Sequence, residues 1–123
     1  MPYESLTFNT YLNKYMLVGL DSDFAANGTP INCGFHLSLS SDLLNWSAQQ
    51  LIASAYVPAP SGCQAPGAGG LAGSFAYASI IDPDDPSLSF ETPGRTGYIY
   101  YTHFNDNSEN RDLVRVPVLI TEY

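Results

Sequence analysis

The chain is predicted to be all-β, and three features carry that expectation. Charged residues make up only 13% of the sequence, too few to coat a set of surface helices, while nine Tyr and six Phe favour pleated, half-buried surfaces. Ten Gly and nine Pro interrupt the chain at short intervals, as closely spaced turns require. Between them apolar residues alternate rather than recur at helical spacing, most clearly where Phe35, Leu37 and Leu39 are interleaved with His36, Ser38 and Ser40.

Taken in order, residues 4–9 read as a short strand and Asn9 to Lys14 as a turn. Tyr15-Met-Leu-Val-Gly-Leu20 is a near-continuous apolar run, as expected of a strand covered on both faces. Leu20-Asp21-Ser22-Asp23 is expected to end it. A loop from Phe24 to Cys33 follows, with Asn27-Gly28-Thr29-Pro30 as its turn signal. A hairpin spans Phe35 to Ile52. Ser40, Ser41 and Asp42 shape its bend through side-chain oxygens that bond to nearby N–H groups, and the Trp46 indole is large enough to cover that bend. These strands, 4–9, 15–20, 34–40 and 48–53, are expected to form one antiparallel sheet.

Residues 54–73 hold a dense set of Gly and Pro without period and read as a long connector with few anchors. Phe75-Ala-Tyr-Ala-Ser-Ile-Ile81 restarts strand structure, its small residues suiting an inner strand. Asp82-Pro-Asp-Asp-Pro86 breaks it. Gly97 to Phe104 and Arg111 to Ile120 are the remaining strands. Pro117 cannot donate to a ladder, so the last strand belongs at an edge or turns its Pro nitrogen to solvent. Each half runs from a small-residue strand through a Tyr-rich one to outer strands. This is an approximate repeat of one sheet unit, 1–55 and 75–123 about a connector at 56–74, with as few as three strands expected in the second unit.

The spacing Ser40-x-Asp42-Leu43-x-x-Trp46 resembles the Ser-x-Asp-Leu-x-x-Trp hairpin of five-bladed β-propeller glycosidases, the arabinanase/xylosidase and invertase-like enzymes. Tyr77-Ala-Ser-Ile-Ile-Asp-Pro83, Tyr98-Ile-Tyr-Tyr-Thr-His-Phe-Asn105 and Arg111-Asp-Leu-Val-Arg-Val-Pro117 resemble the last blades of the same proteins. The resemblance implies antiparallel four-stranded blades, about two of them, in an incomplete propeller whose partners are further blades of a longer chain or other copies. It also implies glycoside hydrolysis by paired carboxylates if the complete protein is catalytic, with this stretch inactive alone. The alternative is a propeller module that binds carbohydrate without cleaving it; a third reading is purely structural.

Candidate residues follow from that resemblance. Glu4 beside one inner strand and Asp82 at the end of another are the candidate catalytic carboxylates. The family's acid precedes a Gly-Pro-like pair, which Glu4 does not, and a turn-capping role accounts for Asp82. His103 and Tyr77 are the candidate sugar contacts, one to a hydroxyl and one by stacking on an apolar sugar face.

The formal charge of −8 disfavours nucleic acid and anionic membranes as partners. It leaves neutral oligo- or polysaccharide as the better fit. No resident cofactor is expected. Asp21-Ser-Asp23 and Asp82-Pro-Asp-Asp85 offer oxygens for Ca²⁺ but lack the spacing of a defined calcium loop. Cys33 and Cys63, each beside a glycine, would close a thirty-residue loop if paired, worth about 3–4 kcal/mol by loop entropy; two unpaired thiols are the alternative. The pairing suits a secreted protein. Residues 1–20 lack a basic-then-apolar leader, so either the chain is not exported or its signal lies upstream of Met1.

Overall fold

The computed structural model describes residues 4–58, 63, 72–87, 92–106 and 109–122. The described residues form two antiparallel meanders and contain no helix. Strands β1 (Glu4–Asn9), β2 (Lys14–Phe24), β3 (Pro30–Ser40) and β4 (Gln50–Ser54) make a sheet in sequence order. Strands β5 (Phe75–Ile81), β6 (Thr96–Phe104) and β7 (Arg111–Leu119) make a second, also in sequence order. The edge position of β7 suits Pro117, which pairs with Tyr98 and has no N–H to give a further strand.

The β2–β3 hairpin is longer than its polar residues suggest. Asp21, Ser22 and Asp23 do not end β2; pairing runs on to Phe24 opposite Pro30, across an irregularity between Asp21 and Asp23. Polar residues are tolerated there because each finds a partner. Asn32 donates to Asp23 Oδ2 at 3.0 Å and Gln49 to Asp23 Oδ1 at 3.3 Å. The loop shrinks to a bend in which Ala25 N–H donates to the Thr29 carbonyl and Thr29 N–H to Asn27 Oδ1. Gly28 takes a φ of 83° there, which a Cβ would disfavour.

The sheets meet face to face, but not evenly. Contacts between them concentrate where β1 and β2 approach β5. Met16, Val18 and Leu20 of β2 and Phe35 of β3 bury against Ala78 and Ile80 of β5 and Ile99 and Tyr101 of β6. Each fully buried aliphatic contributes roughly 1.5–3 kcal/mol by leaving water. Phe35 meets Tyr101 edge-on at 5.2 Å, and Phe75 lies 4.6 Å from Tyr101. Short polar ties close the convergent side: Ser5 Oγ accepts from Ile80 N–H at 3.2 Å, and Asn9 Nδ2 donates to the Gly94 carbonyl at 2.8 Å. Towards β4 and β7 the sheets part around an apolar cavity of about 570 Å³ lined by Leu37, Ile52, Val116 and Val118 among others.

The connector is better anchored than its composition implies. Val57 is fully buried in the core, and its N–H donates to the Cys63 carbonyl at 3.0 Å. Ala55 N–H donates to the Cys33 carbonyl, and Phe75 N–H to the Tyr56 carbonyl. Cys33 and Cys63 are joined by a disulfide, with Cα atoms 5.9 Å apart. One short stretch is thus tied to β3, to β5 and to the crosslink. Residues 59–62 and 64–71, also part of the expected connector, lie outside the described residues.

Candidate functional site

The hairpin bend at Ser40–Trp46 is built around one carboxylate. Asp42 accepts from the backbone N–H of Asn45 at 2.8 Å and of Leu44 at 2.9 Å, from Asn45 Nδ2 at 2.8 Å and from Ser40 Oγ at 3.1 Å. Ser40 Oγ in turn accepts from Leu43 N–H at 2.9 Å. Trp46 is half-buried, bridges to Ser40 and donates its indole N–H to the Leu43 carbonyl at 3.2 Å. The Asn45 donors first, then Leu44 and Ser40, hold the Asp42 carboxyl well below the usual carboxylate range. All of its capacity serves the bend, so Asp42 is architectural.

A second such hub lies after β5. Asp85 is buried and accepts from Ser87 Oγ at 2.7 Å, from the backbone N–H groups of Ser87 and Thr92 at 3.0 Å each, and from Thr92 Oγ1. The Ser87 and Thr92 donors hold its carboxyl well below the usual range. Both carboxylates are depressed in the folded chain relative to about 3.9 when unfolded. Their contribution to stability is therefore present above that value and is lost as pH falls through the folded-state values. We expect the urea midpoint to be level between neutral pH and about pH 5 and to drop below about pH 4, with a smaller acid-side drop in Asp42→Asn. A midpoint that stays level into strong acid would contradict these roles.

The sequence-derived candidates do not gather at one point. Asp82 is half-buried just past β5, and its Oδ1 accepts from Asp84 N–H at 3.0 Å while its carbonyl accepts from Asp85 N–H at 3.1 Å. It caps the turn. It also lines an open cavity of about 460 Å³ with Asp84, Thr96 and Tyr98. Glu4 begins β1 opposite Gly19, one residue before the Ser5 that bonds Ile80; its side chain lies outside the described residues. The bond from Ile80 N–H to the Ser5 hydroxyl thus brings the β1 start and the β5 end into one region.

Tyr77 and His103 belong to the other end of β5. His103 pairs with Phe75, is half-buried, and meets the Phe75 ring edge-on at 5.2 Å. Tyr77 sits in the irregularity between Ala76 and Ser79, with a φ of 57° and 53% of its surface exposed. A bulky residue in that backbone region is uncommon and carries about 1–3 kcal/mol of strain. From Tyr77 to Asp82 is five residues of strand, about 16 Å, so the stacking candidate and the acid candidate do not reach one sugar ring together.

The residues that sequence reasoning missed are two polar networks. The Asp85–Ser87–Thr92 hub joins side chains with no recognisable spacing. Arg115 lies 4.2 Å above the Tyr98 ring and donates to the Tyr100 hydroxyl at 3.1 Å; the alternation of Tyr98 and Tyr100 hints at it, but only the β6–β7 register makes it visible. His36 is almost wholly buried on β3, with Nδ1–H donating to the Gly34 carbonyl at 3.1 Å and Nε2 without a partner among the described residues. Among the described residues no group of three His, Cys, Asp or Glu is placed to hold a metal ion. Comparison with models of protein families, with curated proteins and with solved structures finds no match.

Proposed function

We propose that the chain forms two neighbouring wedges of a radial β-architecture of the glycosidase-like propeller kind, and that the wedge pair holds neutral carbohydrate rather than cleaving it alone. The convergence of the sheets at β1, β2 and β5 and their parting towards β4 and β7 support the wedge reading. The single observation that carries the binding reading is Tyr77. Tyr77 is 53% exposed on β5, an edge strand of the second sheet, and a strained backbone holds it there. Sugars present apolar C–H faces, and a fixed tyrosine ring meets such a face with little ordering entropy. Asp82 is committed to its turn, so hydrolysis would call on carboxylates beyond it. The Cys33–Cys63 disulfide suits an extracellular setting for such a module.

Calorimetric titration with arabino-, xylo- and fructo-oligosaccharides tests the reading. One class is expected to bind, without turnover. Tyr77→Ala is expected to weaken it about tenfold, the equivalent of one lost aromatic contact of about 1.4 kcal/mol. Tyr77→Phe should keep the affinity, since the ring does the stacking. Tyr77→Gly should lose it while holding or raising the urea midpoint, because glycine accepts the φ of 57°. No binding by any oligosaccharide, or equal binding by Tyr77→Ala, would contradict the proposal.

A further inference from the structure

The Cys33–Cys63 disulfide opens onto solvent and is electrically uneven. Both cysteines line an open cavity of about 480 Å³, together with Asn32, Leu51, Ser54 and Tyr56. Cys33 is only 7% exposed at the root of β3, whereas Cys63 is half-buried. The polar groups beside the two sulfurs are opposite in sign. Cys63 N–H donates to Cys33 Sγ at 3.1 Å, and the Pro30 carbonyl oxygen lies 3.6 Å from Cys63 Sγ. An N–H dipole favours negative charge on the sulfur it points at, and a carbonyl oxygen disfavours it. Of the two sulfurs, Cys33 is therefore the better placed to leave as a thiolate, and Cys63 to be attacked.

We propose that Cys63 is the site at which a small external thiol exchanges with this disulfide, which makes the crosslink a releasable clasp. The incoming thiolate bonds to Cys63 Sγ, the bond between the two cysteines breaks, and its electron pair leaves on Cys33 Sγ. A second molecule of the thiol then attacks the external sulfur of the mixed disulfide and releases Cys63, which takes up a proton. The external thiol ends as its own disulfide, and the two cysteines end reduced. The cavity is of the size that holds small ligands, so it seats a thiol as large as cysteine or glutathione and keeps out a protein-sized one. What the clasp holds is the start of the connector. Val57 is fully buried with its N–H on the Cys63 carbonyl, and the Tyr56 carbonyl accepts from Phe75 N–H at the head of β5. Release of Cys63 therefore loosens the connector from the core and from β5, while Ala55 N–H still ties the chain to the Cys33 carbonyl on β3. The clasp works whether or not the chain binds sugar.

Incubation of the folded wild-type chain with reduced glutathione, quenched with acid at intervals and mapped by mass spectrometry, tests it. Mixed disulfide is expected on Cys63 in about tenfold excess over Cys33, the bias that a hydrogen bond to a charged sulfur supports. The rate should stay level in urea up to the onset of unfolding, because the sulfur is reached in the folded chain. A thiol carried on a protein-sized polymer should react several-fold more slowly than glutathione, and the difference should vanish once urea unfolds the chain. An adduct on Cys33, or one shared equally between the cysteines, would overturn the assignment. So would a rate that climbs with urea from the first addition, or a folded chain that does not react, since either would mean that the bond is reached only through unfolding.

Discussion

Gly34→Ala is expected to detach β4 from the first sheet. Gly34 pairs with Ser54 just before the irregularity between Phe35 and His36, and its φ is 150°. A Cβ there would fall far inside contact with the Ala53 carbonyl oxygen and 2.8 Å from both Ala55 N and Ser54 Cα. All three are backbone atoms, so no side-chain rotation relieves the clash. The strand must move, and with it goes the Ala55 N–H bond to the Cys33 carbonyl and the anchor that seats Val57 in the core. Overpacking and backbone strain together place the loss at about 3 kcal/mol or more. Urea unfolding measures it, and amide exchange locates it: residues 51–54 should lose protection first. A midpoint equal to that of the wild type would contradict the assigned role of Gly34.

The second large effect is loss of the crosslink. Cys33→Ser/Cys63→Ser removes a bond closing a loop of 30 residues, and loop entropy puts the loss at about 3–4 kcal/mol. The consequence is local as well as global. Cys33 is buried at the root of β3, and Cys63 N–H donates to Cys33 Sγ at 3.1 Å, so the described end of the connector is held to the sheet there. The Val57 bond to the Cys63 carbonyl should weaken with it, loosening the core from the connector side. Thermal unfolding with and without reductant reads the effect directly. A midpoint that reductant does not move, at full reduction, would show that the core alone holds the chain.

Much of the fold is legible in the residues. Alternation over Phe35 to Ser40 and the apolar runs at 15–20 and 97–104 reveal strands because one or both faces are buried. The turn at Asp42 is legible too, since Ser, Asp and Asn carry their own local bonding instructions. The ends of β2 and β3 are not, because whether Asp21–Asp23 can continue a strand depends on Asn32 and Gln49, partners supplied by tertiary contact. Val57 is hidden for the opposite reason: a lone apolar residue among prolines has no period, and only the packed core reveals it. The candidate site is less legible still. Asp82 resolves as the turn cap that Asp-Pro suggests. The strained backbone of Tyr77 and the Arg115 stack depend on a strand irregularity and on a register, neither of which is encoded locally.

The central claim is that the sheets converge along one side and part along the other, as adjoining wedges do. Side-chain nuclear Overhauser contacts test it most directly. Strong contacts are expected from Met16 and Val18 to Ile80 and Ile99, all almost wholly buried in one cluster, and weak or missing ones from Ile52, 45% exposed on β4, to Val118 on β7. Contacts from Ile52 to Val118 as strong as those of the inner cluster would mean a closed sandwich, and would contradict it.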